Sequence, residues 1–251
     1  MKKNYLTQKT EFVLELFFKQ KYILFLVTLT LSLGNYSIAQ TAGPNNAGTG
    51  ANNAAIGTVA WTNPGNVTAA DGTSTTAALT NGAFTNYIQG SNYGFAIPSG
   101  NVINGIEVII NRKTSANNGS RVTSDNIVKI VKNGSILGNN NAATGVGYPT
   151  TLTIATYGSP TDKWGLTWLA SDINASNFGA ALSVTANNNL TASVDYIQIK
   201  VYYTPSPTIS SFTATSACIG STPSIVITGN HFTGATNVSS NCYCSGCSTS
   251  W

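Results

Sequence analysis

"SVDYIQIKVYYT", residues 193–204, reads as a β-strand along its whole length. Asp195, Ile197, Ile199, Val201 and Tyr203 fall on one face, and Tyr196, Gln198, Lys200 and Tyr202 on the other. Successive side chains of a strand point to opposite sides, so this stretch presents an apolar face to a core and a polar face to water. The asparagines at 187–189 turn a second strand, residues 180–186, into it.

The same period of two recurs upstream. "INGIEVIINRK", residues 103–113, puts Ile106, Val108 and Ile110 on one side, with Glu107, Ile109 and Asn111 opposite. "DNIVKIVKNGSILG", residues 125–138, is a hairpin in outline, because Asn133-Gly134 suits a type I′ turn that needs positive φ at both central residues. Residues 59–61, 75–79, 87–89 and 152–157 complete about eight expected strands. No long stretch after the leader carries a helical period. The expected fold is all-β, an antiparallel β-sandwich of jelly-roll-like type.

Residues 1–40 read as a secretory signal peptide. Lysines precede an apolar run at 22–34, and Ser37 and Ala39 supply the small-x-small pattern before cleavage at Ala39 or Gln40. The run is short for a bilayer span of about 20 residues, so no stable membrane span is expected after cleavage; an uncleaved anchor is the alternative. The leader holds five of the 12 basic and two of the 8 acidic residues, which leaves seven against six, a net of +1. No basic stripe remains for nucleic acid. Charged residues are 8% of the chain, against about 25% in an average soluble domain, so Asn, Thr, Ser and Gly must form the surface. Such a chain suits a secreted or cell-surface location.

Residues 41–55 have no periodicity and no sizeable apolar side chain, so 41–57 is expected as a flexible lead-in, residues 58–204 as the sandwich, and the prolines of 205–208 as a linker. Beyond them, Pro207, Ile209, Phe212, Gly220 and "SIVITGNHFTGATNV" at 224–238 resemble the opening of the immunoglobulin-like IPT/TIG domain. The resemblance implies a module of receptors and bacterial surface proteins. It stops after Val238, where "SSNCYCSGCSTSW" follows. An immunoglobulin-like sandwich takes about 100 residues, so 209–251 is an incomplete segment: either a fragment or a frame lost near Ser239. The segments "YGFAIPSGNVINGIEVII", "DKWGLTWLASDINASNFG" and "SVDYIQIKVYYT" also resemble β-sandwich domains repeated in long secreted bacterial surface proteins, which implies modular architecture.

Catalytic groups are scarce. His231, the sole histidine, lies in the tail, so the sandwich has no His for a nucleophilic triad or a zinc site. Its acids are Asp71, Glu107, Asp125, Asp162, Asp172 and Asp195, and no spacing pairs two across a cleft. The chain is therefore expected not to be an enzyme. Cys218, Cys242, Cys244 and Cys247 suit disulfides of an oxidising compartment or free thiols; with His231 they number enough for zinc, at a spacing that fits no standard module.

The densest chemistry is "DKWGLTWLASDINASNFG", residues 162–179. Read as a strand, it sets Trp164, Leu166 and Trp168 on one face, followed by a short helical turn capped by Ser171 with Asp172 in its first turn. Two readings stay open. The tryptophans plug one end of the sandwich, or Trp164 and Trp168, with Asp172 and Asn174 beside them, form a platform for sugar rings. "WTNPGNVTAADGTSTTAAL", residues 61–79, resembles the first segment of galactose-binding-type and carbohydrate-binding jelly rolls, whose Asp-Gly turn implies a structural calcium (Ca2+) carried here by Asp71; a plain turn is the simpler reading. The expected function is a non-catalytic module acting in adhesion or as a structural spacer, with glycans or other cell-surface proteins as partners. A carbohydrate-binding module is the alternative.

Overall fold

A computed structural model describes residues 39–212 and 226–232. One compact unit spans Ile38–Ser206. It is an all-β sandwich of two antiparallel sheets with ten strands: β1 (Gln40–Asn46), β2 (Thr49–Asn53), β3 (Thr75–Leu79), β4 (Tyr87–Ser91), β5 (Val102–Thr114), β6 (Thr123–Lys132), β7 (Ser135–Leu137), β8 (Thr153–Ser159), β9 (Gly179–Ala186) and β10 (Leu190–Thr204). Sheet A runs β1-β10-β5-β8, with β3 beside the first half of β10; sheet B runs β2-β4-β9-β6-β7. From β3 to β6 and again from β8 to β10 the chain changes sheet at every step, the path of a jelly roll. Asn133 and Gly134 have φ of 52° and 78°, and they join β6 to β7 as the type I′ turn requires.

β10 is the spine of sheet A. Its inner face holds Ile197, Ile199 and Val201, all fully buried against Ile106, Val108 and Ile110 of β5 and the apolar residues of sheet B. The alternation does not run through unbroken. Val194 is also fully buried, three residues before Ile197, because the β10–β5 register shifts between Val194 and Tyr196. A bulge inserts one extra residue and flips the phase. Asp195 is therefore not on the face of Ile197 and Ile199. Its carboxylate instead accepts hydrogen bonds from the Gly72 N–H (2.9 Å) and Asn111 Nδ2 (3.2 Å).

The expected flexible lead-in at 41–57 is corrected. It supplies β1, an edge strand paired with β10 from Gln40↔Tyr203 to Asn46↔Gln198, and β2, paired with β4. Between them Ala47 donates to the Ile197 carbonyl of sheet A (3.2 Å) and Gly48 to the Ser91 carbonyl of sheet B (2.9 Å), so the chain steps from one sheet to the other there. Ladder hydrogen bonds hold these strands, and small residues are required: a Cβ on Gly50 would collide with the Pro64 carbonyl and stand 2.7 Å from Val67. The expected strand at 59–61 is corrected too. Val59 makes only an isolated bridge to Thr85, and Trp61 is buried with its Nε1 donating to the Asn86 carbonyl (2.9 Å).

The boundary after Thr204 moves outward. Pro205 is buried, the Ser206 N–H donates to Asn101 Oδ1 (3.0 Å) and its hydroxyl to the Gly100 carbonyl. The linker expected at 205–208 therefore begins inside the sandwich unit, and Thr208 already belongs to β11. Residues 39–206 are expected to melt within a few degrees of the full chain. A fall of more than about 10 °C, several kcal/mol for a unit this size, would mean that the rest of the chain completes the core.

The described part of the C-terminal segment is a hairpin of β11 (Thr208–Phe212) and β12 (Ile227–Asn230), paired from Thr208↔Asn230 to Phe212↔Ile227. Residues 1–38 of the leader, Gly220 and the four cysteines lie outside the described residues, so the cleavage, disulfide and zinc expectations are not addressed by the structure. Among the described residues no helix is long and apolar enough to cross a membrane.

Candidate functional site

The tryptophan corner is not a strand. Residues 161–169 run as turns and open backbone, and Trp164 and Gly165 have φ of 58° and 71°. Two consecutive left-handed residues reverse the chain, which is unusual for a side chain as bulky as Trp. Three contacts hold it there. The Trp164 N–H donates to Asp162 Oδ1 (2.7 Å), its indole Nε1–H to the Ile106 carbonyl (3.0 Å), and its own carbonyl accepts from the Asn139 N–H (2.9 Å). Gly158, at φ 81°, makes the room: a Cβ there would strike the Ile106 carbonyl and sit 3.0 Å from the indole nitrogen.

Trp164 is 0% exposed and Trp168 9%. Trp168 donates its Nε1–H to the Lys163 carbonyl (3.0 Å) and meets Phe178 edge-on at 5.5 Å, in a cluster that continues through Tyr93 and Phe95. Neither indole offers a face for a sugar ring, so the platform built on Trp164 and Trp168 is corrected: both are core plugs.

Their polar neighbours are also occupied. The short helix α1 (Ala170–Asn174) follows Leu169, not Ser171, as its N-cap, and Asp172 stands at its third position. The Asp172 carboxylate reaches back to accept from the Leu169 N–H (2.9 Å) and pairs with Lys132 Nζ at 3.0 Å. Lys132 also donates to the Thr167 carbonyl (2.8 Å) and lies 5.2 Å over the Trp168 ring. Asn174 clamps the Ile97 backbone twice, its Oδ1 accepting from the N–H and its Nδ2 donating to the carbonyl, both at 2.8 Å. Asp172 and Asn174 thus fasten the corner to β6 and to the 92–101 loop.

Burial pushes the Asp172 carboxyl up, but the Leu169 N–H and the Lys132 ammonium outweigh it and hold the pKa below 3.8. A carboxyl depressed in the folded state stabilises above its unfolded pKa, and that contribution disappears as pH falls through the folded value. Asp172→Asn is expected to lower stability at neutral pH and to flatten its decline below about pH 4. A variant that keeps the full acid slope in urea titrations would contradict this.

At the Asp-Gly turn, Asp71 is exposed, and its Oδ1 accepts from the Thr73 N–H (2.8 Å), while the Gly72 N–H points to Asp195. Calcium takes six to eight oxygens. The two carboxylates at the turn, Asp71 and Asp195, are engaged by its backbone N–H groups, so its geometry gives a calcium at Asp71 no support. Among the described residues no three His, Cys, Asp or Glu side chains converge.

A second polar constellation lies where sheet A's edge meets the loop before it. Arg112 of β5, Asp125 of β6, Tyr157 of β8 and Tyr148 of the loop before β8 all sit inside the sandwich, each 5% exposed or less. Asp125 accepts from Tyr148 Oη (2.6 Å) on one oxygen, and from Tyr157 Oη (2.8 Å) and the Ala143 N–H (3.1 Å) on the other. Arg112 Nε donates to Tyr157 Oη (3.0 Å) and stands 3.7 Å from Asp125, with the guanidinium 3.8 Å over the Tyr148 ring. Burial, with the Asp125 charge beside them, pushes both tyrosine hydroxyls up, so they stay protonated donors. Above this cluster opens a crevice of about 410 Å³, lined by Arg112, Tyr157, Asn141, Thr156, Ser159 and Asp162, with small residues between. The Asp162 carboxylate accepts from Trp164 N–H and from Asn141 Nδ2 (both 2.7 Å). The signal for this cluster was present: Arg112 continues the face of Ile106, Val108 and Ile110, and a charge at an inward position calls for a buried partner.

No family model matches the sequence, and no curated protein sequence matches it. Among solved structures, CBM29_1, a family 29 carbohydrate-binding module from Piromyces equi, is similar over 66% of this chain and 91% of that one, with 12% identity and a TM-score of 0.27. At that identity and score the likeness says nothing of what this chain binds.

Proposed function

We propose that the chain is a non-catalytic secreted or cell-surface protein whose sandwich unit acts in adhesion as a terminal head, not as a spacer in a rod. One observation carries this. β1 and β10 are antiparallel neighbours, with Gln40 opposite Tyr203, so the sandwich's first strand begins and its last strand ends at the same pole. A spacer transmits a chain from one end of a domain to the other. A unit with both ends at one pole presents its far pole and flanks to the surroundings. The leader, the sparse charge and the IPT/TIG-like segment support a surface location.

The acids support the non-catalytic part. Proton transfer needs a titratable group free to exchange a proton with substrate. Asp125 accepts from three donors inside the core, Asp172 is paired with Lys132, and Asp195 is buried under two donors.

Beads coated with the full chain should be retained on surfaces carrying glycans or cell-surface proteins, and soluble chain should compete them off. Retention equal to uncoated beads on every surface would return the spacer role.

A further inference from the structure

We propose that the crevice over Arg112 is a binding site for a neutral glycan that presents two adjacent ring hydroxyls. This deepens the adhesive reading, and rests on it, by giving the head a ligand class and a place to bind it. The argument begins with what Arg112 leaves unused. Only its Nε has a hydrogen-bonded protein partner among the described residues. Its two terminal nitrogens are not sealed in: the buried polar side-chain atoms without a partner among those residues are Ser74 Oγ, Tyr93 Oη, Asn111 Oδ1 and Arg121 Nε. Arg112 lines the crevice, and these nitrogens are the part of its guanidinium left for a ligand there. The cluster beneath fixes them, because the guanidinium is held between the Tyr157 hydroxyl, the Tyr148 ring and Asp125. A donor fork held in place inside a protein binds without first losing its rotamer freedom.

Asp162 supplies the opposite chemistry. An ionised carboxylate has about four acceptor sites, and only two are taken here, one on each oxygen. The crevice lining therefore holds both cationic N–H donors and carboxylate acceptors. A hydroxyl both donates and accepts, so adjacent ring hydroxyls satisfy the two kinds of group together. An anionic ligand fits worse. Asp162 in the lining and Asp125 beside the guanidinium oppose Arg112, so the site has no net positive charge for a carboxylate or a sulfate. Ala142, Ala143 and Ala155 give small apolar surface for ring C–H groups, and the volume of about 410 Å³ falls within the ordinary range of ligand clefts, roughly 300–1,000 Å³.

The test titrates the 15N-labelled full chain with methyl α-D-mannopyranoside, methyl β-D-galactopyranoside and cellotetraose as neutral probes, and with galacturonate and sulfate as anions. Saturable amide shifts are expected at Asn141, Ala142 and residues 156–159 with at least one neutral probe. Asp162→Asn keeps an acceptor for the Trp164 N–H and should weaken binding at least tenfold. Thr156→Arg, on an exposed rim position, should abolish it with the melting temperature unchanged. Three results would each overturn the proposal: no saturable shift with any neutral probe, binding confined to the anions, or neutral binding that survives Thr156→Arg. The adhesive reading fails separately. Beads coated with the Thr156→Arg chain that are retained like wild type would leave adhesion standing and remove the crevice from it.

Discussion

Replacing Trp164 with Ala is expected to cost about 3–5 kcal/mol, from lost transfer energy and the cavity left behind. A domain of this kind has only about 5–15 kcal/mol in hand, so the variant should sit at the edge of unfolding. The indole is fully enclosed and its Nε1–H satisfies the Ile106 carbonyl in mid-strand β5. Trp164→Phe separates the two contributions. It keeps most of the ring and removes that hydrogen bond, whose net worth is about 0.5–1.5 kcal/mol. Urea unfolding should show both as lower midpoints at an unchanged slope. A Trp164→Ala protein within about 0.5 kcal/mol of wild type, the range of an ordinary surface change, would mean that the corner is not a plug.

Asp125→Ala is the other change of that size. It leaves the Arg112 guanidinium without its counter-charge in the interior, and removes the acceptor for two tyrosine hydroxyls and the Ala143 N–H. Breaking one side of a buried ion pair costs about 3–5 kcal/mol. The double variant Arg112→Met, Asp125→Leu is expected to recover much of that, because two apolar groups remove both desolvation costs together. Its loss should fall well short of the summed single losses in a double-mutant cycle. Additive losses would show that Arg112 and Asp125 do not act as a pair, and would also weaken the case that the cluster fixes the guanidinium for a ligand.

The strands with a buried face were legible because burial leaves a period-two imprint on side-chain choice. Ile197, Ile199 and Val201 carry it, as do Ile106, Val108 and Ile110. The imprint is absent where a strand is held by its backbone. β1 and β2 are built of Gln, Thr, Ala, Gly, Pro and Asn, and all of their residues are exposed or half-buried. Hydrogen bonding to β10 and β4 does not select for a side-chain type, so nothing in composition separates such strands from a loop.

The corner misled in a different way. Trp164, Leu166 and Trp168 alternate like a strand, yet the chain there turns through two left-handed residues. The large apolar groups are buried by enclosure in a turn and not by sharing a sheet face. Asp172 and Asn174 looked like ligand groups because polar side chains beside tryptophan suit sugars; they are spent on the Leu169 and Ile97 backbone instead. The bulge at Asp195 is equally silent in the sequence, since one extra residue shifts the phase without changing which residue types are present. Arg112 was the opposite case: its inward position could be read from the alternation, but its partners could not, because Asp125, Tyr148 and Tyr157 come from other segments.

The adhesive head rests on where the two ends of the sandwich lie, and a distance measures it. Spin labels on Gln40→Cys and Tyr203→Cys, in the full chain with its four native cysteines changed to Ser, report that separation directly. Facing residues in an antiparallel pair are about 5 Å apart at Cα, and with the label arms the dipolar distance is expected below about 20 Å. A spacer would place its ends at opposite poles, separated by the length of a strand such as β10, whose 15 residues span about 50 Å. A distance near that value would contradict the pairing of β1 with β10, and with it the head geometry on which the function was inferred.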